Sequence, residues 1–124
     1  MPEKTHVLLV DDDVVVRQSL EQALSVENFL VVSAASAGEA LREFGAKKID
    51  IVLLDLNLGT ESGWDTLQTL KKLRPRVPVI IMTAHAENPA KASKNRPEAF
   101  MEKPLDLAAL FCKLKDLVAQ AGAG

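Results

Sequence analysis

The chain has 124 residues, 48% of them hydrophobic and 26% charged, and a formal net charge of −2. That length can bury one core without covalent staples, and the near balance of charge excludes the general attraction to nucleic acid or anionic membrane that a basic chain would have. A lone Cys112 allows no internal disulfide, no apolar run approaches the ~20 residues of a spanning helix, and three aspartates by residue 13 interrupt any secretory leader, so one cytoplasmic domain over residues 1–124 is expected.

The first apolar run, His6–Val10, is continuous rather than alternating, the pattern of a strand covered on both faces. It stops at Asp11, Asp12 and Asp13. Asp13 can cap a helix whose stripe is Val16, Leu20, Ala23 and Leu24. The second run, Phe29–Ala34, leads into Ser36 and Glu39, spaced as a capping box, and a stripe of Ala37, Ala40, Leu41 and Phe44. Ile51–Leu54 is the third run and ends in Asp55. A looser stripe of Trp64, Leu67, Leu70 and Leu73 follows, with Trp64 packing at the helix start, and the two prolines within the stretch Arg74 to Pro78 stop it.

The fourth run, Val77–Met82, ends in Thr83. Residues 84–98 offer only alanines as apolar surface and hold Pro89 and Pro97, so a short or irregular fourth helix is expected. A brief fifth run, Ala99–Met101, precedes Lys103. Asp106 can then cap a last helix with the stripe Leu107, Leu110, Phe111 and Leu114. Cys112, next to Phe111, is expected to pack in or near the core. Strand and helix alternating five times imply an open doubly wound α/β sheet.

In such sheets the ligand site lies outside the carboxyl ends of the strands. Asp11 and Asp12, Asp55, Thr83 and Lys103 end four different runs at that edge. Taken singly each has an ordinary reading: a helix cap, a turn residue, a strand-end hydroxyl, a solvated lysine. Their convergence on one edge favours a site. Three carboxylates together repel one another and raise their pKa values unless a cation is present. Mg²⁺ suits an all-oxygen set and takes its remaining ligands from water and phosphate. With Lys103 as a fixed positive charge and Thr83 as a hydroxyl donor, the set fits phosphoryl transfer, with Asp55 as nucleophile forming an acyl phosphate.

On the stretches VLLVDDD (7–13), IVLLDLN (51–57), VPVIIMTAH (77–85) and FMEKP (100–104), the chain resembles the receiver domain of two-component response regulators, CheY-like in size. The resemblance covers essentially the whole chain. It implies a flavodoxin-like five-stranded sheet in the order 2-1-3-4-5. It also implies Asp55 as the phosphoacceptor, Asp12 as the direct Mg²⁺ ligand, Asp11 acting mainly through a metal-bound water, and the Asn57 backbone carbonyl as a further ligand. Lys103 would contact a phosphoryl oxygen, followed by a cis bond to Pro104. Thr83 and Phe100 would form a switch pair, the ring turning inward behind the hydroxyl, although core packing is the plainer account of Phe100. Asn57 and His85 would tune dephosphorylation. The implied partner is a sensor histidine kinase or histidine phosphotransfer protein. With no nucleic-acid or membrane contact of its own, the domain would act as a monomer or weak homodimer, as a switch rather than an enzyme acting on other substrates.

Three other readings are open. Asp11 to Val15 fits the D-x-D-x-[T/V] pattern of haloacid-dehalogenase-type phosphatases, with Asp11 as nucleophile and Asp13 as acid, though Asp55 would then have no role. A receiver-like binding module that is never phosphorylated would not need every catalytic position filled. The chain could also be one domain of a longer hybrid kinase or regulator, with Ala119–Gly124 as an end or the start of a linker. Against the family pattern, Gly59 replaces a usual proline and should leave its loop less restrained. The interval from Thr83 to Lys103 is about two residues short, and Arg96-Pro97 replaces a usual Gly-Ala. These departures imply intact chemistry with an unusual output face.

Overall fold

The structure is a computed structural model that describes residues 4–59, 61–84 and 97–123. In chain order the elements are β1 His6–Val10, α1 Val14–Val26, β2 Leu30–Ala34, α2 Ala37–Ala46, β3 Ile51–Asp55, β4 Asn57–Leu58, β5 Glu61–Ser62, α3 Gly63–Leu73, β6 Val79–Thr83, β7 Ala99–Glu102 and α4 Leu107–Ala123. Five strands form one parallel sheet in the order β2-β1-β3-β6-β7. Counting only the strands of that sheet, this is the flavodoxin-like order 2-1-3-4-5. His85 and the expected irregular fourth helix lie outside the described residues, as does the helical part of the output face argued from them.

The continuous apolar runs are explained by burial on both faces. Every residue of Val7–Val10, Ile51–Leu54 and Val79–Met82 is fully buried, and alternate residues enter different cores. Leu8, Val10, Val52, Leu54 and Ile81 pack with Phe44, Trp64, Leu67 and Leu70 of α2 and α3. Val7, Leu9, Ile51, Leu53, Ile80 and Met82 pack with Leu20, Leu24, Leu110, Leu114 and Leu117 of α1 and α4. Each such side chain contributes about 1.5–3 kcal/mol of burial, which outweighs the modest propensities of the short strands.

The expected caps form. Asp13 accepts hydrogen bonds from the Val15 and Val16 N–H groups at the start of α1, and Asp106 accepts from Ala109 N–H in α4. Ser36 accepts from Glu39 N–H, but Glu39 reaches back to Ala35 N–H rather than to its own cap residue. Arg74 closes α3. Phe29 lies just outside β2, which begins at Leu30, after Asn28 turns the chain with φ 72°.

Three side chains depart from expectation. Cys112 is exposed rather than packed: Leu110, Leu114 and Leu117 define the buried face of α4, and a residue two positions from Leu110 points the other way. Leu107 and Leu73 are also exposed, in the first turn of α4 and the last turn of α3. The loop after Asp55 also differs from a slack connection. It closes as a small antiparallel hairpin, Asn57 opposite Ser62 and Leu58 opposite Glu61. Gly59 enters its turn at φ 67°, a value that a proline, fixed near −65°, cannot adopt. Glycine here exchanges one restraint for another.

Candidate functional site

Sheet register sets the site. β1, β3 and β6 are aligned so that Val10 sits beside Leu54 and Asp55 beside Met82, and the chain leaves each strand at one edge. Asp11 follows β1 directly, Asp55 and Thr83 close β3 and β6, and Lys103 follows β7. An open cleft of about 370 Å³ at this edge is lined by Asp11, Asp12, Asp13, Asp55, Asn57, Gly59, Ala84 and Lys103.

The carboxylates of Asp11, Asp12 and Asp55 each offer an oxygen, and these oxygens lie within 4.8 Å of one another. Asp11 and Asp55 are buried and Asp12 is exposed, so one carboxylate faces the solvent side of the cleft. Lys103 Nζ donates to Asp11 Oδ2 at 2.9 Å and to Asp55 Oδ2 at 3.1 Å. Its own backbone N–H is bonded to Thr83 O, and its peptide bond to Pro104 is cis. Asp55 Oδ1 accepts from Asn57 N–H at 3.0 Å, so both oxygens of this carboxylate are oriented from opposite sides.

Electrostatics follow from that packing. Burial pushes the Asp55 carboxyl above its ordinary value, and the nearby Asp11 charge adds to this. The Asn57 N–H and Lys103 pull it back only in part. Burial alone would lower Lys103, but its hydrogen bonds to Asp11 and Asp55, and their charges, hold its pKa above the ordinary lysine value. Three carboxylates against one ammonium leave a formal excess of two negative charges. A hard divalent cation with oxygen ligands matches both the charge and the donor set, so the residues present fit Mg²⁺.

Not every expected residue is brought to the cleft. Thr83 is buried at the end of β6, directly before the cleft-lining Ala84. Phe100 pairs with Ile81 across the sheet but is 37% exposed, its ring stacked on Trp64 with centroids 6.3 Å apart. The plainer core-packing account of Phe100 therefore does not describe this conformation. Asp13 lines the cleft, yet its carboxylate is occupied as the α1 cap. That leaves it ill placed as the acid of a dehalogenase-type site.

Two residues escaped sequence reasoning. Gly63 packs so tightly that an added Cβ would lie 2.5 Å from Leu56 Cα and 2.7 Å from Asp55 O. Arg17 Nη1 donates to the Asp11 carbonyl at 2.8 Å. A glycine or arginine carries no local signal for such contacts. Only the spacing of Arg17, six residues after Asp11 and on the second turn of a helix, could have suggested one.

A family model described as the response regulator receiver domain matches residues 7–115. The chain is 36% identical over 118 residues to the transcriptional regulatory protein GlrR of Escherichia coli (strain K12), covering 94% of this chain and 27% of that protein. To the DNA-binding transcriptional regulator NtrC of Proteus hauseri it is 33% identical over 107 residues, covering 85% and 23%. The chain thus spans about a quarter of the length of these curated relatives. Among solved structures, a CheY-like response regulator receiver domain protein from Methanospirillum hungatei JF-1 superposes with a TM-score of 0.91 at 29% identity, covering 97% of this chain and 98% of that one. A receiver domain protein from Clostridium thermocellum gives a TM-score of 0.89 at 28% identity, covering 96% and 98%.

Proposed function

The chain belongs to the response regulator receiver domain family, and from that premise we propose that residues 1–124 form a Mg²⁺-dependent switch that accepts a phosphoryl group on Asp55 from a histidine kinase or histidine phosphotransfer protein. The observation that carries this reading is the Lys103 ammonium bridging Asp11 and Asp55 with Asp12 alongside. Asp55, like Asp11, is approached by an N–H on one oxygen and an ammonium on the other; it is the one of the three carboxylates that closes a strand of the sheet.

In this reading Asp11, Asp12, Asp55 and the Asn57 carbonyl hold Mg²⁺, which supplies charge neutralisation for the incoming phosphoryl oxygens. Asn57 N–H and Lys103 orient the Asp55 carboxylate for in-line attack, and Lys103 meets the charge arriving on a phosphoryl oxygen. The attacking oxygen forms the bond to phosphorus as the bond to the donor histidine nitrogen breaks. Phosphorylation would then favour the conformer in which the Thr83 hydroxyl and Lys103 contact the new charge, with Phe100 turning inward behind Thr83. Asn57 and His85 would set how fast water removes the group. Val14 and Val15, which follow the cleft-lining Asp13 directly in the chain, are exposed and would give a phosphodonor an apolar surface to seat against. The chain would catalyse only its own phosphorylation and dephosphorylation, as a monomer or weak homodimer.

The test is labelling by a small-molecule phosphodonor with Mg²⁺. A hydroxylamine-sensitive acyl phosphate is expected on Asp55 and is lost in Asp55→Asn. Label that persists in Asp55→Asn, on Asp11 in particular, would refute the assignment and revive the phosphatase reading.

A further inference from the structure

Asp11 is fully buried, and each of its polar atoms has a partner. Its N–H donates to Ala34 O, its Oδ1 accepts from Asp13 N–H at 2.9 Å, and its Oδ2 accepts from Lys103. Those three bonds are what a strand end, a tight turn and a neighbouring lysine provide. The fourth is different. The ladders of β1 end at Val10, so the Asp11 carbonyl has left the sheet and is met instead by the Arg17 guanidinium, at 2.8 Å, from the second turn of α1.

That carbonyl belongs to the peptide unit joining Asp11 to Asp12. Fixing its direction fixes the plane from which the Asp12 Cα emerges, and Asp12 is the exposed member of the three-carboxylate cluster. We propose that Arg17 is a positioning residue for the divalent-cation site, acting through the Asp11–Asp12 peptide to hold both carboxylates in their binding geometry. The inference rests on the phosphoacceptor reading. It makes a prediction whose sign separates it from simple electrostatics. As a bare cation near the cleft, Arg17 would repel a divalent ion, and its removal would tighten binding. As a positioning residue it supports the ion, and its removal weakens binding, as is usual for groups that orient metal ligands.

The experiment is Mg²⁺ titration of the full chain by calorimetry or amide chemical shifts, for wild type, Arg17→Ala and Arg17→Lys. Arg17→Ala is expected to raise the Mg²⁺ Kd about tenfold, with Asp55 labelling returning to the wild-type extent once Mg²⁺ is saturating. Arg17→Lys, which keeps the charge but not the planar fork, is expected to fall between the two. In metal-free protein the Asp13 amide, bonded to Asp11 Oδ1, should exchange its hydrogen several-fold faster in Arg17→Ala. Wild-type binding matched or exceeded by a folded Arg17→Ala overturns this inference alone. Should Arg17→Ala not fold, Arg17→Lys with wild-type affinity and wild-type Asp13 exchange overturns it equally. A wild-type chain that takes up no Mg²⁺ overturns the phosphoacceptor reading and this inference together.

Discussion

Replacing Gly63 with alanine should cost far more than a buried methyl group normally would. The new Cβ would lie 2.5 Å from Leu56 Cα, 2.7 Å from Asp55 O and 2.9 Å from Leu56 O. All three are backbone atoms, so no side chain can swing aside. To reach ordinary contact the start of α3 must retreat by about 1 Å, which also breaks the 2.8 Å bond from Gly63 N–H to Leu56 O. Overpacking of this kind costs roughly 1–3 kcal/mol and the lost bond about 1 kcal/mol more, against a gain of about 0.5 kcal/mol from stiffening the unfolded chain. A net loss of about 2–3 kcal/mol lowers Tm by about 10 °C in a domain of this size. Because one of the two obstructing carbonyls is that of Asp55, labelling should slow as well. Urea and thermal unfolding of Gly63→Ala, beside Gly38→Ala and Gly45→Ala, decide the matter. The last two meet nothing within 4 Å in α2, so they should be neutral or stabilising by about 0.5 kcal/mol. A Gly63→Ala chain within about 0.5 kcal/mol of wild type would refute the close approach.

Three further outcomes follow from the charges. Burial and Asp11 raise the Asp55 carboxyl in the folded protein, so as pH rises the unfolded chain loses this proton first and wild-type stability falls. Asp55→Asn removes that loss: its stability relative to wild type should increase from the ordinary carboxylate range up through the raised value and then level off, as read by unfolding at a series of pH values. Lys103→Ala leaves two buried carboxylates without their ammonium. With the lysine itself partly exposed, this should cost about 2 kcal/mol, and part of the lost Tm should return on adding millimolar Mg²⁺. Glu98 accepts from Val79 N–H at 2.8 Å and pairs with Lys71 at 2.7 Å. Glu98→Ala should therefore destabilise by about 1 kcal/mol, and an unchanged urea midpoint would show that these bonds contribute nothing.

The strands were legible because each central strand is buried on both faces, which writes burial into the sequence as an unbroken apolar run. Asp11, Asp55 and Lys103, which meet at the cleft, were legible for a related reason, since each lies just at or beyond the end of an apolar run at the same edge. What stayed hidden depends on how one element folds back on the next. Gly63 is required by the backbone of Asp55 and Leu56, not by its own neighbours. Arg17 is one charged residue among several until α1 folds back on the end of β1. The β4–β5 hairpin depends on a left-handed Gly59, where comparison with the family's proline suggested only slackness. Cys112 was misread because adjacency to Phe111 says little on a helix, where the next residue lies about 100° around the axis.

The stack of Phe100 on Trp64 has a practical consequence. Trp64 is the only tryptophan in the chain, and it is buried at the start of α3, in the core on the α2 and α3 side of the sheet. Intrinsic fluorescence excited at the red edge of protein absorption therefore comes from one indole, with one partly exposed aromatic ring against it. Movement of Phe100 alters the immediate surroundings of the only emitter. The molecule thus carries an optical probe beside the ring that the proposed switch would displace, readable in stopped flow without label or added cysteine.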